Sequence, residues 1–206
     1  TSQETLNYLN DFNLQVACLA NNHVFDHLED GFEKTMKHLC QNNIKTVGAS
    51  LNENEHNKPL IIEENGIKIG LLNYVTRDTN PKPPVGTKIN LNWFDIDNTI
   101  KEINQVKGKV NHIIVILHWG GRVEGGLYPD FDQPKIARRL IDVGADLIIG
   151  HHSHTIHPFE IYKGKHIFYS LGNFCFSDFV FEGENYIMPE RRKHSLIVSA
   201  TFDSKK

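Results

Sequence analysis

The sequence predicts an α/β fold, a layered sandwich built on a mixed β-sheet. Strand-like and helix-like runs alternate through the first half of the chain, and hairpin-like pairs follow. Two turn signals, Asn65-Gly66 and Lys163-Gly164, each separate short β-rich runs. Three apolar runs end in histidine or asparagine. Val16–Ala20 meets Asn21-Asn22-His23, Ile113–Leu117 meets His118-Trp119, and Asp146–Gly150 meets His151-His152-Ser153-His154. Ligands of open α/β sheets sit beyond the carboxyl ends of the strands. Three such ends predict one shared polar site, most simply a metal site.

Thr1 to Asn13 reads as a short helix, with Leu6, Leu9 and Phe12 on one face and Thr1 or Ser2 as its cap. A strand spans Leu14 to Ala20. A second helix covers Leu28 to Gln41, where Phe32, Met36, Leu39 and Cys40 recur at helical spacing and Lys37 and His38 suit the carboxyl end of the dipole. Ile44 to Val47 is a short strand stopped by Gly48. Leu60–Glu63 and Lys68–Asn73 flank the first turn signal. The Pro-rich stretch from Thr76 to Asn92 is a surface loop. Asp95 or Asp97 caps a helix running to about Val106 and stopped by Gly108.

His112 to Leu117 is a continuous β-branched and Leu run, as expected of a parallel strand buried on both faces. A Gly-rich loop covers Gly120 to Pro129. Asp132 to Val143 is a helix with Pro134 in its first turn and Gly144 as its stop. Asp146–Ile149 is a strand, and Pro158–Tyr162 with His166–Ser170 form a second hairpin. Phe174 to Lys193 reads as irregular, and Ser195 to Asp203 as a last strand. The whole of 1–206 reads as one domain.

Charged residues are 23% and hydrophobic residues 39% of the 206, ordinary globular usage, so a substantial core can form. The net charge of −3 excludes a nucleic-acid binder that works by bulk basicity. Arg191-Arg192-Lys193 is the one tight basic run and reads as a solvated loop. Cys18, Cys40 and Cys175 are too few and too far apart for a disulfide framework or a CxxC metal motif. The chain shows no signal peptide and no apolar run long enough to span a membrane.

The strongest motif is Gly150-His151-His152-Ser153-His154. Imidazoles separated by one residue at the mouth of an apolar strand can serve neighbouring metal positions, and neutral imidazole suits zinc, iron, manganese or nickel. His118, directly after an apolar strand, joins them as a candidate ligand. Trp119 is a packing wall. Asn22 offers a carboxamide oxygen as a ligand that adds no negative charge, or makes local turn bonds. His23 points elsewhere and can act as an acid toward a leaving group. Asp26 either orients an imidazole or caps the next helix. Near the end of the second hairpin, Gly172 permits close backbone approach and Asn173 supplies an amide, or the segment is a plain strand-end turn. There is no GxSxG elbow, P-loop or GxGxxG.

Together these motifs resemble the CapA family of poly-γ-glutamate capsule synthesis proteins, also called PgsA, a branch of the calcineurin-like metallophosphatase superfamily. The carriers are Leu19–His23 with Asp26 and Gly31, His118-Trp119-Gly120, Gln133, Leu140–Asp146, Ile149–His154 and Tyr169–Phe174. The resemblance implies a four-layer α/β/β/α sandwich holding two divalent metal ions, Mn, Zn or Fe. It implies Asn22 as the bridging ligand, His118 and His152 on one metal, His154 on the other, and His23 as the leaving-group acid. The His151 position is usually Gly in the superfamily, so His151, with Asp26 and Asn173, is expected to support the ligands or substrate. A family Glu shortly after His-Trp-Gly is replaced here by Gly121-Arg122, with Glu124 beyond. Arg122 and Glu124 are therefore candidate substrate contacts.

The superfamily's opening strand with its metal-binding Asp, and the acidic ligand of the next, are not in this sequence. The resemblance thus implies a partial site in this chain. It further implies action in the synthesis or export of a surface anionic polymer, with other membrane subunits of capsule synthesis as partners. The expected location is the extracellular face of the cell envelope. Either metal-dependent hydrolysis or an accessory, polymer-binding role fits, as does non-phosphate chemistry such as peptide-bond hydrolysis or epimerisation.

Overall fold

In a computed structural model, which describes residues 12–181 and 183–204, the apolar runs form the centre of a six-stranded mixed sheet. Its strands are β4 (Leu60–Glu64), β5 (Ile67–Val75), β7 (His112–His118), β8 (Leu147–His151), β9 (Phe159–Tyr162) and β10 (Lys165–Phe168), in the order β4-β5-β7-β8-β10-β9. The inner strands β5, β7, β8 and β10 run parallel, and the hairpin partners β4 and β9 close the edges antiparallel. The two-residue turns are real. Asn65 (φ 51°) and Gly66 (φ 77°) link β4 to β5, and Lys163 (φ 50°) and Gly164 (φ 75°) link β9 to β10. Both central residues have positive φ, as a type I′ hairpin requires.

Side-chain parity sets the two faces. Leu72 and Tyr74 of β5, Ile113, Val115 and Leu117 of β7, Ile148 of β8 and Ile167 of β10 belong to one buried cluster. That cluster includes Ile103 and Val106 of α2 (Ile96–Lys107) and Ala137, Leu140 and Ile141 of α3 (Gln133–Val143). Asp95 caps α2, its carboxylate accepting from the Asn98 amide at 2.9 Å. Alternate residues such as Val75 join a second cluster with Ala20, Phe25, Ala49, Leu91 and Phe32 of α1 (Leu28–Gln41). Four short strands lie on that side. β1 (Val16–Cys18) pairs parallel with β2 (Lys45–Val47), and β3 (Ala49–Ser50) pairs antiparallel with β6 (Asn90–Leu91). α1 packs on β2, and β2 on β5. The order of layers is thus helices, large sheet, short strands, helix, a mixed α/β sandwich.

The structure departs from expectation at the margins. The helix read at Thr1 to Asn13 lies, apart from its last residues, outside the described residues. β1 is shorter than the run Leu14 to Ala20, because its partner β2 has only three residues before Gly48 turns the chain at φ 98°. The loop after β5 contains a 3-10 turn at Arg77–Thr79 and the strand β6. The stretch from Phe174 to Lys193 is not wholly irregular. β11 (Phe179–Phe181) and β12 (Glu184–Tyr186) form a hairpin. Ser195 to Asp203 does not form a strand. Among the described residues it makes one bridge, Gly172 to Ser195, and no ladder beyond it. β-propensity is expressed only where an open ladder lies alongside. Among the described residues no helix is long and apolar enough to cross a membrane.

Cys18 lies in β1, where burial pushes its thiol up to about 11, while Cys40 and Cys175 are exposed. Thiolate is the reactive form. In native protein at pH 8, iodoacetamide should label Cys40 and Cys175 readily and Cys18 only after unfolding, as peptide mapping will show.

Candidate metal centre

Parallel register brings the histidines together. His118 is the Cα partner of His151 across β7 and β8, and both share the face turned away from α2 and α3. β8 lies close to the chain leaving β10 because residue 150 is glycine. A Cβ there would sit 2.1 Å from the Tyr169 carbonyl oxygen and 2.3 Å from Trp119 Nε1. Trp119, 2% exposed, donates from Nε1 to that same carbonyl at 3.0 Å. The Trp119 amide in turn donates to His151 O at 3.1 Å, and the Leu171 amide to Gly150 O at 3.2 Å. The exits of β7, β8 and β10 are therefore locked as a unit.

Beyond Gly150 the backbone turns through unusual conformations, with His152 at φ 111° and His154 at φ 60°. Non-glycine residues there cost about 1–3 kcal/mol each. The turn is held by the Gly125 amide donating to Ser153 O at 2.8 Å, and by the Thr155 hydroxyl donating to Gly126 O. The reversal aims successive imidazoles apart. His152 Nδ1 lies 3.1 Å from His118 Nε2, whereas His151 Nδ1 lies 2.7 Å from His118 Nδ1 on the opposite ring edge. His154 turns toward Asn173, with Nδ1 2.7 Å from Oδ1. Its Nε2 faces Glu124 Oε1 at 3.8 Å.

The third strand end arrives from β1. Buried Asn73, in β5, accepts the Ala20 amide at 2.8 Å and donates to Ile116 O at 3.3 Å. This latch ties the segment after β1 to the large sheet. It delivers Asn22, whose Oδ1 lies 2.7 Å from His118 Nε2. His23, largely exposed, donates from Nδ1 to Asp26 Oδ2 at 2.8 Å. Asp26 therefore orients an imidazole. No side chain caps α1 at its N-terminus.

Burial is the main cause that holds these rings neutral. It lowers His118 well below the usual imidazole range, with His151 and His152 adding to the shift. Burial, then His152, pushes His151 down to about 4. His152 is lowered too, first by burial. Neutral imidazole is the form that ligates metal.

The donor set fits a metal ion. His118 Nε2 carries at most one proton, yet it faces both the acceptor Asn22 Oδ1 and the His152 Nδ1 nitrogen. A cation satisfies three such lone pairs together. His118 Nδ1–H would then donate to His151 Nδ1, the outer hydrogen bond that ligating histidines commonly make. Among the described residues no three His, Cys, Asp or Glu side chains form a ligand group by themselves. The third donor here is the Asn22 carboxamide. His154, bonded to Asn173 through Nδ1, has Nε2 available beside Glu124.

Beside this cluster lies a cleft of about 420 Å³ lined by Asn22, His23, Phe25, Asp26, Thr79, Asn80, Lys82 and Glu124. Arg122 is not among its lining residues. Its guanidinium pairs with Asp132 at 2.9 Å and lies 5.0 Å over the Phe131 ring. Sequence reasoning missed Asn73 and Lys82. A lone Asn inside the apolar run Leu71–Val75 was a readable signal for the first.

A mixed sandwich with imidazoles at the carboxyl strand ends is a metallophosphatase-type fold. A Staphylococcus aureus crystal structure assigned to a 5′-nucleotidase and solved with α-ketoglutarate superposes with TM-score 0.62. It is 16% identical, over 84% of this chain and 35% of that one. A Thermus thermophilus 5′-nucleotidase precursor gives TM-score 0.51 at 18% identity, over 80% and 34%. The family model of the bacterial capsule synthesis protein PGA_cap matches residues 1–178, and the chain belongs to that family. It is 33% identical over 179 residues to the PGA biosynthesis protein CapA of Bacillus subtilis, covering 85% of this chain. It is 31% identical over 180 residues to the capsule biosynthesis protein CapA of Bacillus anthracis, covering 84%. The chain spans 46% and 43% of the length of these relatives.

Gly150→Ala should lower unfolding stability by about 3 kcal/mol, since a rigid carbonyl blocks the added methyl. Gly108→Ala, with open space around it, should stay within about 0.5 kcal/mol of wild type in the same urea titrations.

Proposed function

We propose that this chain carries the reactive half-site of a CapA-like protein that processes or exports poly-γ-glutamate or a similar surface anionic polymer by metal-dependent hydrolysis. The observation that supports this reading is the convergence of Asn22 Oδ1, His152 Nδ1 and His118 Nε2 at the strand ends. Family membership supports the choice of polymer. Asn22, His118 and His152 would hold one divalent ion, Mn, Zn or Fe. His154 would hold a second, with Asn173 fixing its tautomer.

Bound divalent ions supply Lewis-acid polarisation and charge neutralisation at the scissile group. The chain's own residues do the rest. The Asp26 carboxylate accepts from His23 Nδ1 and fixes the ring, leaving Nε2 as the atom that would hand a proton to the leaving group. His151 holds the His118 ring in place from its far edge. Glu124 lines the same cleft as His23 and would take part in placing the substrate or the second ion. The Gly150–Trp119–Tyr169 contacts keep the strand ends from spreading as charge develops. The cell envelope is the compartment this reading requires, with other capsule-synthesis subunits as neighbours.

The test uses the full-length protein. Elemental analysis should find bound divalent metal in wild type, and His118→Ala should lose it together with hydrolysis of the polymer. His23→Ala should keep the metal and lower kcat about a hundredfold. Wild type free of metal, or His118→Ala with full activity, contradicts the hydrolytic reading and leaves an accessory role.

A further inference from the structure

Among the described residues, one ammonium lines the cleft beside His23 and makes no ion pair. Its lining carboxylates both face imidazoles, Asp26 toward His23 at 2.8 Å and Glu124 toward His154 at 3.8 Å. The remaining charge is Lys82, and no carboxylate among the described residues pairs with its ammonium. That stretch of the cleft wall therefore presents an ammonium that can take an anion.

The loop that carries Lys82 is built to hold position. Its backbone runs Asn80-Pro81-Lys82-Pro83-Pro84, and proline fixes φ on both sides of the lysine. Asn80, at φ 56°, ends the 3-10 turn Arg77–Thr79 and sends the chain into this segment. The base of the loop is anchored at the candidate centre itself. The Thr76 amide and hydroxyl both donate to the His118 carbonyl, at 2.9 and 3.2 Å. The Thr79 hydroxyl donates to Thr76 O at 2.7 Å. Gly121 packs so closely on Asp78 that a Cβ would lie 1.9 Å from its carbonyl oxygen. At the far end, the Lys88 amide donates to Glu29 Oε1 at 2.6 Å, tying the loop to α1. A lysine on such a loop loses little backbone freedom when it binds.

Resting on the hydrolytic reading above, we infer that Lys82 is a substrate-positioning residue. Its ammonium takes a carboxylate side group of a polyglutamate chain lying in the cleft, so that an adjoining linkage lies between His23 and the Asn22–His118–His152 cluster. Arg122, engaged by Asp132, leaves this task to Lys82.

The test is equilibrium binding of a fluorescent poly-γ-glutamate oligomer to the full-length protein at low salt, for wild type, Lys82→Ala, Lys82→Glu and Lys82→Arg. Lys82 is exposed, so all three variants should keep the wild-type circular dichroism spectrum. Kd should rise about fivefold in Lys82→Ala and about twentyfold or more in Lys82→Glu, and Lys82→Arg should stay within about twofold of wild type. The differences should shrink in 0.5 M salt, as expected of an exposed charge contact. A methyl-esterified oligomer should bind wild type and Lys82→Ala alike. Equal Kd for all four proteins overturns the role of Lys82 and leaves the proposed function standing. A wild-type protein that binds no oligomer overturns the polymer reading itself.

Discussion

The close approach of three strand exits at Gly150 is the constraint on which the candidate centre depends. Trp119, leaving β7, donates its indole proton to the Tyr169 carbonyl leaving β10, and the chain of β8 passes between them. Only a residue without Cβ fits there. Because β7 and β8 are parallel and in register, closing this gap sets His118 beside His151 and starts the turn that swings His152 to the other edge of the same ring. The same packing shields the imidazoles from water, which is the main reason they stay neutral.

Asn73 does for the opposite side what Gly150 does for the centre. Its fully buried carboxamide bridges the Ala20 amide and the Ile116 carbonyl, joining the short-strand layer to the large sheet. Asn22 and His23 follow directly, so the two layers contribute to one site. The side chains of the candidate centre and the cleft are thus joined through a few polar contacts rather than through a single rigid element.

Much of this was legible in the sequence. β7 and β8 announced themselves as continuous apolar runs, both hairpin turns carried residues that accept positive φ, and Asp95 was readable as a cap. Asn22, His118 and the His151–His154 loop could be grouped from their places at strand ends, and the choice of His152 came from the family resemblance. What could not be read depends on pairing across the chain. Ser195 to Asp203 has the composition of a strand yet finds no ladder beyond Ser195, while Phe179–Phe181 finds one in Glu184–Tyr186. Which edge of the His118 ring each histidine takes follows from the positive φ of His152, which no sequence pattern marks. Arg122 was a candidate substrate contact in sequence and is engaged by Asp132. Lys82, which no motif marks in the sequence, lines the cleft.

The central claim is that Asn22, His118 and His152 surround one metal position. An anomalous difference map from crystals of the full-length protein grown with Mn²⁺ tests this most directly. The expected result is a peak bonded to His118 Nε2, His152 Nδ1 and Asn22 Oδ1, with His151 outside the coordination sphere. A fully occupied peak elsewhere, with those three side chains still bonded to one another, would contradict it.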